Sequence, residues 1–260
     1  MVSADAIRTA VGILGNGIAL ALFLSPLPTF VRICKKRSVE EFSAVPYVAT
    51  LLNCTMWLVY GLPAVHPHST LVLTINGAGT AIELAYVLLF LVYARGGRQR
   101  ARVAAMLAAE AAFVVAVALM VLTTLRTHER RSMVVGVLCV VFGTMMYAAP
   151  LSVMKLVIQT KSVEYMPLSL SLASFFNGLC WTAYALIRFD LYITIPNALG
   201  VMFAVAQLVL YAVYYKSTQR QIADRKRKTA EMAEVVVVKA AAPTVAVDAN
   251  DDKAGGSGAQ

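Results

Sequence analysis

Apolar residues follow one another along this chain in seven long runs, and short polar segments separate the runs. A helix needs about 20 mostly apolar residues to cross the roughly 30 Å of hydrocarbon in a bilayer. Because every run is long enough, the pattern predicts an all-α integral membrane protein with seven transmembrane helices. The runs lie at residues 7–31, 43–62, 70–94, 101–125, 133–157, 167–187 and 191–215.

Composition agrees with this pattern. Hydrophobic residues make up 59% of the chain and charged residues 14%, whereas a soluble domain usually carries about 25% charged residues. The first run is too long and too interrupted by proline to be a cleaved signal peptide. The four cysteines show neither metal-binding nor disulfide-scaffold spacing, so we interpret them as small core residues and expect no metal or cofactor. They are Cys34, Cys54, Cys139 and Cys180.

The net charge of +9 is distributed as expected for a membrane protein and not for a nucleic-acid-binding protein. Lys and Arg cluster between the runs and after the last one, with 16 near one face of the membrane and 5 near the other. Since positive loops stay in the cytoplasm, we predict an outward N-terminus and a cytoplasmic C-terminus. Plasma membrane is the default location, and an internal membrane is the alternative.

The chain contains an internal repeat. Several distinctive residues recur after 124 positions, and after the tryptophans the separation becomes 121, so "INGAG" matches "PNALG". Spans one to three therefore repeat as spans five to seven. The matching pairs are Pro26 and Pro150, Ser38 and Ser162, Asn53 and Asn177, Trp57 and Trp181, Tyr60 and Tyr184, and Asn76 and Asn197.

The unmatched fourth span has a geometrical consequence. A three-span unit ends on the membrane face opposite its start, so one extra crossing makes the two copies parallel, as in several transporter folds. We predict a first repeat at 1–96, a linker helix at 97–128, a second repeat at 129–216, and a basic, largely disordered cytoplasmic tail at 217–260.

Residues 5–216 resemble the SWEET family of sugar transporters. The resemblance is carried by "FLSPLPTFVRICKKRSVEEFSAVPYV", "WLVYGLP", "YAAPLSVMKLVIQTKSVEYMPLSLSL" and "PNALG". The related PQ-loop proteins have Pro-Gln where this chain has Pro26-Leu27 and Pro150-Leu151. The resemblance implies two parallel three-helix bundles joined by a linker helix, sugar transport by alternating access, and homo-oligomers or hetero-oligomers with related transporters.

Asparagine and tryptophan inside apolar runs indicate a binding site. A buried amide costs several kcal/mol unless it is paired, so these residues should face the bundle axis. There, Asn can bind sugar hydroxyls and Trp can pack on the apolar face of a sugar ring. Amides that merely join helices are the alternative; glycosylation of the Asn53-Cys54-Thr55 sequon is excluded by its depth in the membrane.

The resemblance assigns roles to these positions. It implies that Trp57 and Trp181 sandwich the sugar, that Asn76 and Asn197 bind its hydroxyls, and that Asn53 and Asn177 line the walls. It also places Leu22 and Met146 at size-selecting positions.

The resemblance further implies hinges and a gate. Four prolines near the cytoplasmic ends of their spans would bend the helices and act as hinges, although proline is frequent in membrane helices generally. They are Pro26, Pro46, Pro150 and Pro167. The family's extracellular gate resembles Tyr60, Tyr184 and Asp190. The alternative for Asp190 is a surface ion pair with Arg188 that has no gating role. Ala185 replaces the glycine that is present at Gly61.

The mechanism expected is facilitated diffusion. The chain has no phosphate-binding Gly-x4-Gly-Lys loop, and the candidate proton sites for symport, Glu83 and Glu110, do not lie beside the predicted pocket. A seven-helix receptor would not contain the repeat, and all three histidines lie in loops, which disfavours an intramembrane enzyme. Because Asn53, Asn177 and Met146 restrict the pocket, we predict monosaccharides such as glucose, galactose or fructose over sucrose.

Overall fold

The computed structural model describes residues 3–241, with side-chain environments for residues 3–234. These residues form nine helices and divide into two compact units, one up to Tyr215 and one from Lys216 onward. The helices are α1 (Ala4–Leu24), α2 (Leu27–Lys36), α3 (Val45–Gly61), α4 (Thr70–Tyr93), α5 (Gly97–Thr124), α6 (His128–Met145), α7 (Ala148–Thr160), α8 (Leu168–Ile187) and α9 (Leu191–Ala241).

Nine helices make seven spans because two spans are interrupted. The pairs α1–α2 and α6–α7 form continuous apolar stretches, Ala4–Lys36 and His128–Thr160. Together with α4, α5, α8 and α9 they are the six stretches in the described residues that are long and apolar enough to cross a membrane. The seventh span is α3, whose 17 residues lie at the lower limit for crossing.

The four predicted hinge prolines mark helix boundaries and do not lie in helix interiors. Pro26 separates α1 from α2, and Pro150 follows the break between α6 and α7 within the first turn of α7. Pro46 lies in the first turn of α3 and Pro167 caps α8. A first-turn proline loses no helical hydrogen bond, so the expectation of four bent helices is corrected to two interrupted spans and two helix starts.

The repeat recurs in three dimensions. Helices α1 and α6 begin the first spans of the two repeats, and α3 and α8 are the second spans. Helix α1 packs on α8 and α6 packs on α3, so the first span of each repeat contacts the second span of the other. In both copies of the Ser-Val-Glu motif the serine hydroxyl accepts a hydrogen bond from the glutamate N–H, at 3.3 Å for Glu40 and 3.4 Å for Glu164. Linker helix α5 packs on α3, α4 and α6.

The described part of the tail is helical. Helix α9 continues to Ala241, which differs from the disorder expected after residue 217. Its Ala, Lys, Arg and Glu residues favour helix, and Arg227 pairs with Glu231 one turn later at 3.4 Å. The remaining expected disordered segment, 242–260, lies outside the described residues.

Candidate functional site

A central cavity of about 160 Å³ lies where the two repeats meet. Both tryptophans are buried beside it, with 8% and 7% of their surface exposed. All six side chains expected to bind sugar line this cavity: Asn53, Trp57, Asn76, Asn177, Trp181 and Asn197. The sequence expectation that matching amides and indoles converge thus agrees with their positions.

The four amides differ in how they are held. Asn76 donates to the carbonyl of Val72 at 2.9 Å, and Asn197 donates to that of Ile193 at 2.8 Å. Each amide is therefore tied to its own helix, four residues back. The Oδ1 atoms of Asn53 and Asn177 are buried and accept no hydrogen bond within the described residues. Because an unpaired buried acceptor is costly, a donor such as a sugar hydroxyl would be bound favourably there.

A larger cavity of about 550 Å³ adjoins the central one and shares Asn53, Trp57, Asn177 and Asn197 with it. The two size-selecting candidates, Leu22 and Met146, and two of the prolines, Pro150 and Pro167, line this larger cavity. Pro26 and Pro46 line neither cavity. We call the side of the bundle that carries the four prolines the proline end.

The opposite end is closed by a buried hydrogen-bonded cluster around Asp190. The Tyr60 hydroxyl donates to Asp190 Oδ2 at 2.8 Å, while Asp190 Oδ1 accepts the N–H groups of Tyr192 and Ile193 at the start of α9. Asp190 is 6% exposed. The alternative ion pair with Arg188 is not formed, since Arg188 pairs with Asp5 at 3.2 Å.

Tyr60 and Tyr184 occupy equivalent positions but have different neighbours. The His66 ring stacks on Tyr60 at 4.7 Å, and its Nε2 lies 3.5 Å from Asp190 Oδ2. The Arg8 guanidinium lies over the Tyr184 ring at 3.8 Å and donates to the Tyr184 carbonyl. Each tyrosine also meets its repeat's tryptophan edge to face, at 5.3 and 5.2 Å, so the closed end packs directly on the central cavity.

His66 and Arg8 are members of this closed end that the sequence analysis missed. Burial lowers the pKa of His66, although the nearby Asp190 carboxylate acts in the opposite direction. Nothing in the local sequence marks either residue, because their partners lie far away along the chain. Arg8 contacts Tyr184 across 176 positions.

Tyr147 was also missed. Its hydroxyl donates to the carbonyl of Pro196, and its ring packs on Phe203 with centroids 4.9 Å apart. A Cβ added at Gly200 would lie 2.7 Å from that hydroxyl, so alanine there would make the Tyr147 ring shift. A tyrosine directly after Met146, in a segment already assigned to the site, was the available signal.

The two proton-site candidates lie away from the site. Glu83 and Glu110 are buried, at 3% and 8% exposure, but neither lines the two cavities. This arrangement agrees with the expectation that they are not beside the pocket.

The chain is similar in sequence to known transport proteins. A family model described as "Sugar efflux transporter for intercellular exchange" matches residues 9–98 and 133–219, which are the two repeats without the linker helix. The rice (Oryza sativa subsp. japonica) bidirectional sugar transporter SWEET4 is 73% identical over 240 residues, covering 91% of this chain and 92% of the relative. The chain belongs to the SWEET family.

Other SWEET proteins extend this result. The Arabidopsis thaliana bidirectional sugar transporter SWEET7 is 57% identical over 222 residues, covering 85% of this chain and 86% of the relative. A eukaryotic SWEET transporter of known structure matches with a TM-score of 0.80 and 39% identity, over 82% of this chain and 99% of the other. The predicted all-α, multi-pass membrane fold is thereby confirmed, and the family consists of sugar transporters and not of enzymes.

Proposed function

We propose that this SWEET protein is a bidirectional uniporter of monosaccharides such as glucose, galactose or fructose. The observation that carries the proposal is the convergence of two buried tryptophans and four amides on one cavity. Indole faces suit the C–H side of a sugar ring, and amides suit its paired hydroxyls.

Alternating access is supported by the difference between the two ends. The Tyr60–Asp190 hydrogen bond closes one end, whereas the larger cavity extends from the central site toward the proline end. Because Lys and Arg cluster on the side of the prolines, we assign the proline end to the cytoplasm. We further propose that the protein is a homo-oligomer in the plasma membrane. On this assignment the structure corresponds to a form closed to the outside.

Downhill transport is favoured because no Asp, Glu, His, Lys or Arg side chain lines either cavity within the described residues. A coupling ion would need such a group or an equivalent set of ligands near the sugar. The sugar gradient alone would therefore drive net movement in either direction.

The test is uptake of a panel of sugars by cells that lack endogenous sugar transport, together with flux into liposomes that contain the purified chain. We expect saturable glucose flux that an imposed pH gradient does not drive uphill. Trp57→Ala and Asn197→Ala should each reduce flux at least about tenfold, since each removes a central contact. Absence of saturable sugar flux in the wild-type protein would refute the proposal.

A further inference from the structure

The larger cavity belongs mainly to the second repeat. Among its lining residues only Leu22, Asn53 and Trp57 come from the first repeat. The central site accounts for the part of the cavity near Trp57 and Asn177, but the cavity continues along α8 toward Pro167. This extension, defined by Ser171, Ser174 and Gln207, has no sugar-binding role in the function proposed above.

In the first repeat, aromatic rings pack together at the equivalent positions. Phe30 stacks on Tyr86 at 4.2 Å, and Tyr47 meets both rings edge to face at 4.8 and 5.8 Å. By the repeat spacings, the counterparts in the second repeat are Met154 for Phe30, Ser171 for Tyr47 and Gln207 for Tyr86. Ser171 and Gln207 line the cavity, so small and polar residues leave open what aromatic residues close.

The extension offers groups that recognise sugars. Ser171, Ser174, Asn177 and Trp181 follow one another at intervals of three or four residues, and this spacing places them on one face of α8. The side chains of Ser174 and Gln207 make no hydrogen bond to any residue that the structure describes. The rings of Tyr147 and Phe203 supply an apolar wall. Hydroxyl, amide and aromatic groups thus recur beyond the central site.

The volume of the cavity and the lack of charge on its described lining residues limit which ligands it can bind. A volume of about 550 Å³ is within the roughly 300–1,000 Å³ typical of sites for drug-sized molecules, which are larger than one hexose. The described lining residues include no Asp, Glu, Lys, Arg or His. The extension therefore suits a neutral, hydroxyl-rich ring and not an ion or a phosphorylated sugar.

We propose that Ser174 and Gln207 form a second subsite for a hexose ring, adjacent to the central one and on its proline side. The proposal rests on the proposed sugar transport. The ring is supplied either by a second monosaccharide or by the second unit of a disaccharide, and the two sources give different binding stoichiometry.

Binding to the full chain in lipid nanodiscs tests the subsite. Labelled glucose gives the number of sugars bound per chain, and intrinsic fluorescence reports the central site because the chain's only two tryptophans lie there. Ser174→Ala and Gln207→Leu remove the polar groups, and Gln207→Tyr restores the first repeat's residue. Thr50→Ala is the matched control, because Thr50 is the counterpart of Ser174, bonds Pro46 O at 2.9 Å and lines neither cavity.

A second monosaccharide predicts two bound glucose molecules per wild-type chain and one in Gln207→Tyr. A disaccharide predicts one bound glucose and a maltose half-saturation several-fold below that of glucose. In either case Ser174→Ala and Gln207→Leu should weaken only the second-ring binding, by about twofold to tenfold, while the fluorescence half-saturation for glucose stays unchanged.

One bound glucose together with maltose that binds no tighter than glucose overturns the subsite. The subsite is also overturned if Ser174→Ala and Gln207→Leu bind glucose and maltose as Thr50→Ala does. Either result with normal glucose flux leaves the proposed function intact, whereas a wild-type chain without glucose binding or flux refutes both proposals.

Discussion

At the residue scale, one carboxylate connects the closed end of the path to the start of a helix. Asp190 uses Oδ1 to accept two backbone N–H groups at the start of α9 and Oδ2 to accept the Tyr60 hydroxyl. The first interaction satisfies helix-terminal donors and lies within one chain segment. The second joins the two repeats, so it must break when this end opens, whereas the first can persist.

Removing the Tyr60 hydroxyl should therefore favour the open form. A hydrogen bond to a charged group contributes about 1.5–3 kcal/mol, which corresponds to roughly tenfold or more in an opening equilibrium. In Tyr60→Phe liposomes we expect external iodide to quench tryptophan fluorescence more strongly than in the wild type. Tyr192→Phe is the control, because its ring lies 6.2 Å from Tyr60 but only its backbone bonds Asp190. Equal quenching in all three proteins would contradict this role.

Acidification should open the same end. Burial lowers the pKa of His66, and the charges of Arg8 and His68 lower it further, while Asp190 partly opposes them. The closed form thus binds a proton less well than an exposed imidazole, whose pKa is about 6.5. Neutral His66 therefore stabilises the closed form fully above about pH 6.5, and this stabilisation is lost as the pH falls through the lowered pKa of His66. We expect iodide quenching to rise between pH 7.5 and pH 5, and His66→Gln to remove the rise. If iodide quenching still rises in His66→Gln, the pH dependence belongs to a different titratable group.

At the element scale, α3 is the shortest span, and its C-terminal end packs closely on α4. A Cβ at Gly61 would lie 2.8 Å from the backbone nitrogen of Leu73 on α4. Backbone cannot move aside as a flexible side chain can. The second repeat has a fully buried Ala185 at the matching position, so the equivalent corner there accommodates a methyl group and the two corners differ.

Gly61→Ala should therefore destabilise the fold. Overpacking of this kind costs about 1–3 kcal/mol, and we expect a lower midpoint of thermal unfolding in detergent. Gly17→Ala is the matched control, since nothing lies within 4 Å of an added Cβ there and alanine has the higher helix propensity. Its midpoint should equal or exceed that of the wild type. A Gly61→Ala midpoint as high as that of Gly17→Ala would show that α4 can shift away.

The elements also show how far sequence reasoning reaches. Apolar runs predicted the seven spans, and constant spacing revealed the repeat and six of the residues that line the central cavity, because both signals recur regularly along the chain. The breaks were less predictable: the first follows Ser25 and the second follows Met146, 121 positions later, whereas the neighbouring Pro26 and Pro150 are 124 positions apart. Helix ends depend on capping and tertiary packing, and contacts such as Arg8 with Tyr184 leave no trace in local sequence.

At the scale of the whole molecule, the two repeats share a fold but are filled differently. The first repeat closes its proline side with the stacked rings of Phe30, Tyr47 and Tyr86. The second repeat leaves a cavity there and supplies Asp190 to the closed end. An exactly symmetric pair would open and close both halves alike. Unequal filling instead packs the proline side of one repeat with rings and leaves a cavity on the proline side of the other.

If the proposed size selection occurs where the repeats meet, it should respond to paired changes. Asn53 and Asn177 face the shared part of both cavities from opposite repeats. Replacing both with serine shortens both walls, and we expect the ratio of sucrose flux to glucose flux in liposomes to rise at least about tenfold, the lower range for small steric differences in a pocket.

The single variants Asn53→Ser and Asn177→Ser are the controls for this size effect. Each widens one wall only and should give an intermediate ratio, whereas a change confined to one of them would place selection in a single repeat. A wild-type protein that already carries sucrose faster than glucose would contradict the size argument, because the unmodified walls would then admit the larger sugar.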